Sequence, residues 1–476
     1  MMARVLGAPA AVGAAGISLV FLWASSVAVA QVPSRLRVMP PVPDAAGLRL
    51  AWDVPGDGWT FEVQEAPGLS GPWVASPSGA VGAQRSWRDP RGYQDADQRV
   101  FRVLHTPPPV ARGMLLSLSK TATYPAAQLS FLLLLQGIPL TAQFDVEVYK
   151  LVYRTVDPWG LPTVASAGLA VPVKAGRAWP LLGYQHGTLL RKLDAPSSGL
   201  STEGVVGVLL ATSGYVGVSA DYLGLGDSPG RHPYHHAASQ ATAVVDALRA
   251  GRAACATNGV TLSGQVFLAG YSQGGHATMA TLREIESRHA AEFEVAACAP
   301  MAGAFDLSGV TLDDALSDRP VPNPYYFAFL LQTLVDLYGV APSLSELLEP
   351  PYDQSLPPLL DGSTDGGAVN ALMPSIPNRI VKPGFLAALR ADPGHPLRRA
   401  LRDNDLTSWA PRAPVRLYHC SGDQDVVPGN AVVARERMAA LGVAVPLVDP
   451  KAGASHGDCA QPALLLVKAW FDSLRR

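Results

Sequence analysis

Charge is scarce in this sequence. Lys, Arg, Asp and Glu make up 16% of its 476 residues, and the formal net charge is −2. A chain this close to neutral lacks the basic footprint of a nucleic-acid binder, so no nucleic-acid partner is expected. Spanning-length apolar runs are also scarce. Past the first thirty residues the run Leu129 to Leu135 is too short to cross a bilayer. No internal repeat is evident. Cysteine is limited to four residues. What is present in quantity is aliphatic: hydrophobic residues reach 48%, enough for a large core. With that much apolar side chain, 45 glycines and 42 prolines indicate many loops rather than disorder. The length predicts two or three domains.

Residues 1–30 read as a signal peptide. Arg4 supplies a positive start, and Ala8 to Val27 is apolar apart from Ser18, Ser25 and Ser26. Ala28-Val29-Ala30 before Gln31 resembles a cleavage site. The expected localisation is secreted or periplasmic, the competing reading being an uncleaved membrane anchor. No cysteine lies near the site to carry a lipid.

Residues 31–107 have a different period. Leu48, Leu50 and Trp52 alternate, as do Trp59, Phe61 and Val63, and then Phe101 and Val103. Period two marks half-buried strands. Turn-rich pieces at 54–58, 66–68 and 89–92 separate them, and Trp73 and Trp87 are candidates for a small core. The pattern looks like a fibronectin-type-III-like β-sandwich. Such modules are spacers or adhesive units, which leaves surface or polymer contact open. Thr106-Pro107-Pro108-Pro109 reads as a stiff linker.

The most informative stretch is Gly270-Tyr271-Ser272-Gln273-Gly274. The apolar run Gln265-Val266-Phe267-Leu268-Ala269 precedes it, and a helical sequence follows it. Strand, sharp turn and helix in that order present a serine hydroxyl above a sheet and aim the N–H of the next residue, Gln273, at a developing oxyanion. A hydroxyl needs a base, and the base needs an orienting acid. Pro414 to Cys420 reads as a strand, and Ser421-Gly422-Asp423-Gln424-Asp425 follows it. Val443 to Val448 reads as the next strand, with His456 in the loop after it and a last helix from Ala463 to Leu474. Ser272, Asp423 and His456 are therefore the expected triad. Asp423 stands four residues after His419, which favours it. Counting back from Val427-Pro428 leaves Asp425 open, with a solvated loop carboxylate as its other reading. A second oxyanion donor is expected at Thr188, after the strand that ends in Gln185-His186-Gly187.

These pieces in this order resemble the α/β-hydrolase superfamily and, within it, secretory-lipase-like esterases. The matching residues are Tyr184 to Thr188, Ala220 to Gly226, His232-Pro233-Tyr234, Gly270 to Gly274, His419-Cys420-x-x-Asp423 and Ser455-His456-Gly457. The resemblance covers about 145–476. It implies a mostly parallel sheet flanked by helices and serine hydrolysis of carboxylic esters without metal or organic cofactor.

The catalytic region is expected over 110–476. Its lead-in strands, Val146 to Thr155 and Val164 to Val171, read as antiparallel, followed by a core strand at Tyr215 to Ala220, a helix from His235 to Ala254 and a strand from Glu294 to Pro300. Asp306 to about Pro411 reads as a helical cap over the acyl pocket, with Tyr325, Tyr326 and Phe329 as substrate-binding candidates beside Tyr222, which ends a core strand. His232-x-x-His235-His236 invites a metal, yet no nearby cysteine or carboxylate run completes the three or four ligands zinc needs. It reads as a helix-start cluster at the site's mouth. Sequence alone leaves the cysteine pairing open. Cys420 and Cys459 flank the acid and the histidine, so their bridge is the attractive one, with Cys255–Cys298 remaining.

The expected function is a secreted esterase or lipase acting on an ester substrate, lipid or polymeric. The alternatives are a serine peptidase of the same fold and a non-catalytic adhesion or polymer-binding protein. A peptidase lacks its mark here, since no charged cluster suggests a pocket for a peptide terminus.

Overall fold

The structure is a computed structural model describing residues 37–38, 42–44, 47–53, 60–66, 74–88, 100–106, 111–135, 137–199 and 203–476. The signal-peptide reading, Trp59, Trp73, most of the turn pieces at 54–58, 66–68 and 89–92, and Pro107 to Pro109 lie outside the described residues. The chain divides into two units: residues 1–110 with 157–162, and 111–156 with 163–476.

The first unit holds two small sheets. One contains β1 (Arg37–Val38), β2 (Val42–Asp44), β3 (Gly47–Asp53) and β6 (Ser86–Arg88). The other contains β4 (Thr60–Ala66), β5 (Val74–Gly82) and β7 (Val100–Thr106). All their pairings are antiparallel. Leu50 and Trp87 of the first sheet are buried, as are Phe61, Val63 and Phe101 of the second. The Trp87 and Phe101 rings, one from each sheet, lie 5.5 Å apart. Leu50, Phe61, Val63 and Phe101 belong to the runs that alternate in the sequence, as a pleated strand with one covered face requires.

The second unit is a nine-stranded sheet flanked by helices, an α/β-hydrolase fold. Its strands are β8 (Leu115–Tyr124), β9 (Asp145–Val156), β10 (Pro162–Val173), β11 (Trp179–Gln185), β12 (Val216–Ala220), β13 (Leu262–Tyr271), β14 (Glu294–Met301), β15 (Leu417–Tyr418) and β16 (Leu447–Val448). They lie in the order β16-β15-β14-β13-β11-β12-β10-β9-β8. From β12 to β16 the pairings are parallel, whereas β10 on β12 and β8 on β9 are antiparallel. Every residue of β11 and β12 is buried, as a strand covered on both faces demands. The helices of the body are α1 (Ala126–Leu135), α2 (Gly204–Ala211), α3 (Ala237–Thr257), α4 (Gln273–Arg288), α11 (Gly429–Ala440) and α12 (His456–Leu474). No described helix is long and apolar enough to cross a membrane.

Two features of this sheet position the site. Chain order reverses at β11, with β12 on one side and β13 on the other; such a switch point opens a crevice at the carboxyl ends of the strands. The register then aligns those ends. Gln185 pairs with Gly270, Tyr271 with Met301, Met301 with Tyr418, and Tyr418 with Val448. The loops carrying Gly187, Ser272, Asp423 and His456 consequently leave the sheet along one edge.

The segment after β14 has a core of its own. It comprises a π-helical turn at Leu307–Thr311, then α5 (Leu312–Ala315), α6 (Tyr325–Tyr338), α7 (Tyr352–Ser355), α8 (Gly366–Asn370), α9 (Pro383–Ala391) and α10 (Pro396–Arg402). Phe327, Phe329, Leu331, Leu344, Leu360, Ile380 and Leu397 are buried together there.

Some expectations need correction. Cys255 and Cys298 are free and buried rather than paired. Cys255 lies on α3, which packs over β8, β9, β11 and β12, whereas Cys298 lies in β14, beneath α4 and α12. The strands expected at 414–420 and 443–448 shrink to two residues each. Pro446 stands directly ahead of the second and has no N–H to give a ladder, while ahead of the first Val415 still bridges Cys298 of β14. The helix expected from His235 begins at Ala237 because His235 has φ 56°, outside helical geometry.

Candidate active site

Ser272 occupies a strained turn between β13 and α4. Its φ is 59° with ψ −121°, a region that side-chain-bearing residues rarely adopt. Its N–H donates to Met301 O at 3.0 Å and its carbonyl accepts from Gly275 N at 2.8 Å, so both flanks of the turn are fixed. Close packing explains Gly274: a Cβ there would stand 1.9 Å from Gln185 O. Only 6% of Ser272 is accessible to solvent.

Asp423 is the acid that meets the histidine. His456 Nδ1 lies 2.6 Å from Asp423 Oδ2, and His419 Nε2 lies 3.2 Å from the same oxygen. Oδ1 accepts the N–H groups of Asp425 and Val426, each at 3.0 Å. Burial pushes this carboxyl's pKa up, but the hydrogen bonds and charges of His419 and His456 outweigh it. The net effect holds the group well below the usual carboxylate range. Asp425 points elsewhere and is half-buried, not solvated: it accepts from Asn323 N at 3.1 Å and Asn323 Nδ2 at 3.0 Å.

His456 is the first residue of α12. Ser455 caps that helix by accepting the N–H of Asp458, and its hydroxyl donates to the Asp458 carboxylate at 2.7 Å. Tyr271, the neighbour of Ser272, donates its hydroxyl to His456 O, and the two rings are 5.0 Å apart. The Cys420–Cys459 disulfide joins the start of the acid loop to the first turns of α12.

The two expected oxyanion donors sit in held environments. Gln273 Nε2 lies 2.6 Å from His232 Nε2. His232 Nδ1 faces Leu223 O at 2.8 Å, so it carries the proton, and the bare Nε2 accepts from the Gln273 amide. Burial lowers the His232 pKa to about 3, which keeps the ring neutral. On the other side, Thr188 Oγ1 is 2.9 Å from Tyr234 OH. Tyr234 stacks on Phe329 of α6 at 4.6 Å and 13°, linking the segment after β14 to this loop.

A partly open cavity of about 80 Å³ lies between the loop after β15 and the segment after β14, and Ser272, Asp423 and His456 are not among its lining residues. Tyr326 and Leu330 of α6 line it together with Tyr234, Leu307, Asp425 and Val427. Tyr222, Tyr325 and Phe329 are not among its lining residues. Tyr222 is buried behind the loop of Gly187 and Thr188, donating to His186 O at 3.2 Å. Tyr325 points toward α8, where a Cβ on Gly366 would meet its hydroxyl at 2.7 Å. The histidine cluster near 232–236 is divided: His232 holds Gln273, whereas His236 Nδ1 faces Ser239 Oγ at 3.0 Å.

Sequence reasoning missed the bond from His232 to Gln273, which joins residues far apart in the chain and is marked by no local pattern. His419 served only to count spacing, yet it touches Asp423 directly.

The comparisons agree with this architecture. A family model described as secretory lipase matches residues 192–313. The rice cell wall degrading esterase LipA from Xanthomonas oryzae is similar at 30% identity and a TM-score of 0.70, over 77% of this chain and 100% of that one. A Legionella pneumophila protein named as a candidate hydrolase shares the fold at 24% identity, TM-score 0.71, over 76% and 98% of the two chains. Candida antarctica lipase A in its closed state shares it at 18% and 0.56, over 77% and 84%. No curated protein matches in sequence.

Proposed function

Because the chain belongs to the secretory lipase family of α/β-hydrolases and is a carboxylic ester hydrolase, we propose that it acts through an acyl-enzyme on Ser272. The observation that carries this reading is the strained Ser272 turn on the same sheet edge as the Asp423–His456 pair. His456 Nδ1 donates to Asp423, which leaves Nε2 free to accept the Ser272 proton. The serine oxygen then attacks the ester carbonyl. The carbonyl oxygen takes up negative charge and is met by the N–H groups of Gln273 and Thr188. The proton on His456 passes to the leaving alcohol as the C–O bond breaks. Water, deprotonated by His456, releases the acid and restores Ser272.

Export is part of the proposal. The leader-like residues 1–30 and the Cys420–Cys459 bridge both suit an oxidising compartment. We divide the remainder into a fibronectin-III-like module at 31–107 and a catalytic region at 110–476 capped by 306–411. The similar LipA degrades rice cell wall, so esters borne on plant polymers are a substrate class to assay beside lipids.

The test is turnover on a p-nitrophenyl ester series and on aminoacyl-anilides, for wild type and Ser272→Ala. The expected outcome is ester hydrolysis that falls at least ~10³-fold in the folded variant. Near-normal turnover without Ser272 would refute the mechanism, and preference for anilides would point to a peptidase.

A further inference from the structure

The peptide that joins Gly187 to Thr188 is held by the ring of the residue just before it. His186 Nδ1 lies 2.7 Å from Gly187 O, and His186 Nε2 lies 3.2 Å from Asp221 O. Both ring nitrogens thus face carbonyl oxygens, which only accept. Burial lowers the His186 pKa to about 4, so near neutral pH the ring is uncharged and has one proton to give. The shorter contact assigns that proton to Nδ1, which donates to Gly187 O. A trans peptide is planar, with its C=O and N–H pointing opposite ways. Fixing Gly187 O on the His186 ring therefore turns the Thr188 N–H away from that ring. Among the described residues no backbone carbonyl accepts this N–H. A Cβ on Gly187 would stand 3.8 Å from Ser272 Cβ, which puts the peptide beside the nucleophile.

The ring has little freedom to leave. His186 is fully buried, and the Tyr222 ring lies over it, with centroids 4.2 Å apart and 32° between the planes. The Tyr222 hydroxyl donates to His186 O at 3.2 Å, so one residue steadies both the ring and the backbone of His186. Tyr222 does this from a left-handed conformation, φ 68°, that residues with side chains rarely adopt. Tyr222 is stacked in turn on His232, 5.7 Å away and within 14° of parallel, and His232 accepts from the Gln273 amide. A column of three rings thus runs from the loop of one expected oxyanion donor to the residue that carries the other.

We propose that His186 is the positioning residue of the oxyanion loop. Its Nδ1–H sets the direction of the Gly187 carbonyl and, through the rigid peptide, the aim of the Thr188 N–H at the oxygen that becomes negative. His186 exchanges no proton with the substrate and acts through the backbone alone. The bond to Gly187 O, not the approach to Asp221 O, carries the role. The proposal rests on the serine-esterase reading above, with Thr188 as a donor, and assigns a residue that the triad pattern does not include.

Two amide variants separate the ring's nitrogens. In His186→Asn the side-chain amide can take the place of Nδ1 and donate to Gly187 O. In His186→Gln it reaches the place of Nε2, toward Asp221 O. On the full chain, His186→Gln is expected to lower kcat at least about tenfold, as a misdirected oxyanion donor would, with KM changed less than about twofold. His186→Asn is expected to keep most of the wild-type kcat. Phosphonylation of Ser272 by a p-nitrophenyl phosphonate puts an oxygen where the oxyanion forms, and its rate should follow kcat. Unchanged kcat in His186→Gln overturns the proposal. So does a loss confined to KM, or an equal loss in the two variants.

If either variant does not fold, a crystal structure of the wild-type Ser272 phosphonate serves instead. The phosphonyl oxygen is expected within hydrogen-bond distance of Thr188 N, with Gly187 O still facing His186 Nδ1. A peptide turned so that Gly187 O has left the ring overturns the role of His186. A phosphonyl oxygen away from Thr188 N overturns the oxyanion assignment on which that role rests. Wild type and Ser272→Ala run alongside in the kinetics. Absent wild-type hydrolysis would refute the esterase reading itself, whereas normal wild-type activity with an unaffected His186→Gln refutes only the role of His186.

Discussion

Asp423 Oδ2 receives His456 Nδ1 at 2.6 Å, while Asp425, two residues on, turns away to Asn323, just ahead of α6. Two carboxylates in one short loop thus have separate duties. One orients the imidazole, and the other ties the acid loop to the segment before α6.

Substitution should separate them. Asp423→Asn leaves the shape intact but removes the acceptor that fixes the His456 tautomer. The expected loss in kcat is about 10⁴-fold, the scale seen when a triad acid becomes an amide. Asp425→Asn should stay within about tenfold of wild type, since at most its two bonds to Asn323 are altered. Steady-state kinetics on a short soluble ester decides it. Equal losses in two folded variants would refute the division.

The disulfide gives a second prediction. Cys420 and Cys459 are 39 residues apart, and closing a loop of that length restricts the unfolded chain by about 4 kcal/mol in the chain-entropy model. The bridge also spans the loop of Asp423 and the helix of His456. A Cys420→Ser/Cys459→Ser protein should therefore lose stability in urea and show a lower kcat at temperatures where it is still folded. Unchanged denaturation midpoints would show that the bridge constrains neither state.

Acid should expose the buried histidines. Burial lowers His186 and His236 to about 4 and His232 and His276 to about 3, from an ordinary value of 6.5. The unfolded chain takes up protons below 6.5 and the folded one does not until those lower values. Stability is thus lost as pH falls through that window, by up to about 1.4 kcal/mol per pH unit per histidine. Buried acids with raised pKa, such as Asp221, act in the opposite sense. The clean readout is therefore a difference. Urea midpoints of His236→Asn should fall less steeply than wild type between pH 6.5 and 5. Parallel curves would mean that His236 is charged or exposed.

What was legible in the sequence was mostly local. The Ser272 turn announces itself because its apolar run, its glycines and its helix are contiguous. Leu50, Phe61 and Val63, which belong to alternating runs, are buried for the same reason. The choice of Asp423 over Asp425 was only half legible, because His456 arrives from 33 positions away. The Cys255–Cys298 expectation failed because pairing depends on which strand a helix covers, and α3 does not cover β14. The bond from His232 to Gln273 left no trace, since the two residues lie 41 positions apart. Likewise, nothing in the helical pattern of 325–330 tells which side chains face the cavity and which face the cap core.

That last distinction yields the remaining prediction. Tyr326 and Leu330 line the cavity, whereas Tyr325 packs toward Gly366 and Phe329 stacks on Tyr234. The cavity measures about 80 Å³ and is partly open, with Ser272 outside its lining, so substitution at Leu330 tests whether an acyl chain reaches it. Leu330→Ala would enlarge it, and each extra methylene buried is worth about 0.8 kcal/mol, or roughly fourfold in kcat/KM. Across acetate, butyrate, octanoate and palmitate esters, Leu330→Ala should move the optimum to longer chains with little change on acetate. Tyr325→Ala should lower stability and keep the wild-type ranking. Phe329→Ala should depress all four esters together, because its contact runs through Tyr234 to Thr188. A uniform loss for Leu330→Ala would place the acyl chain elsewhere, and a shifted optimum for Tyr325→Ala would mean that the cap core itself moves to admit substrate.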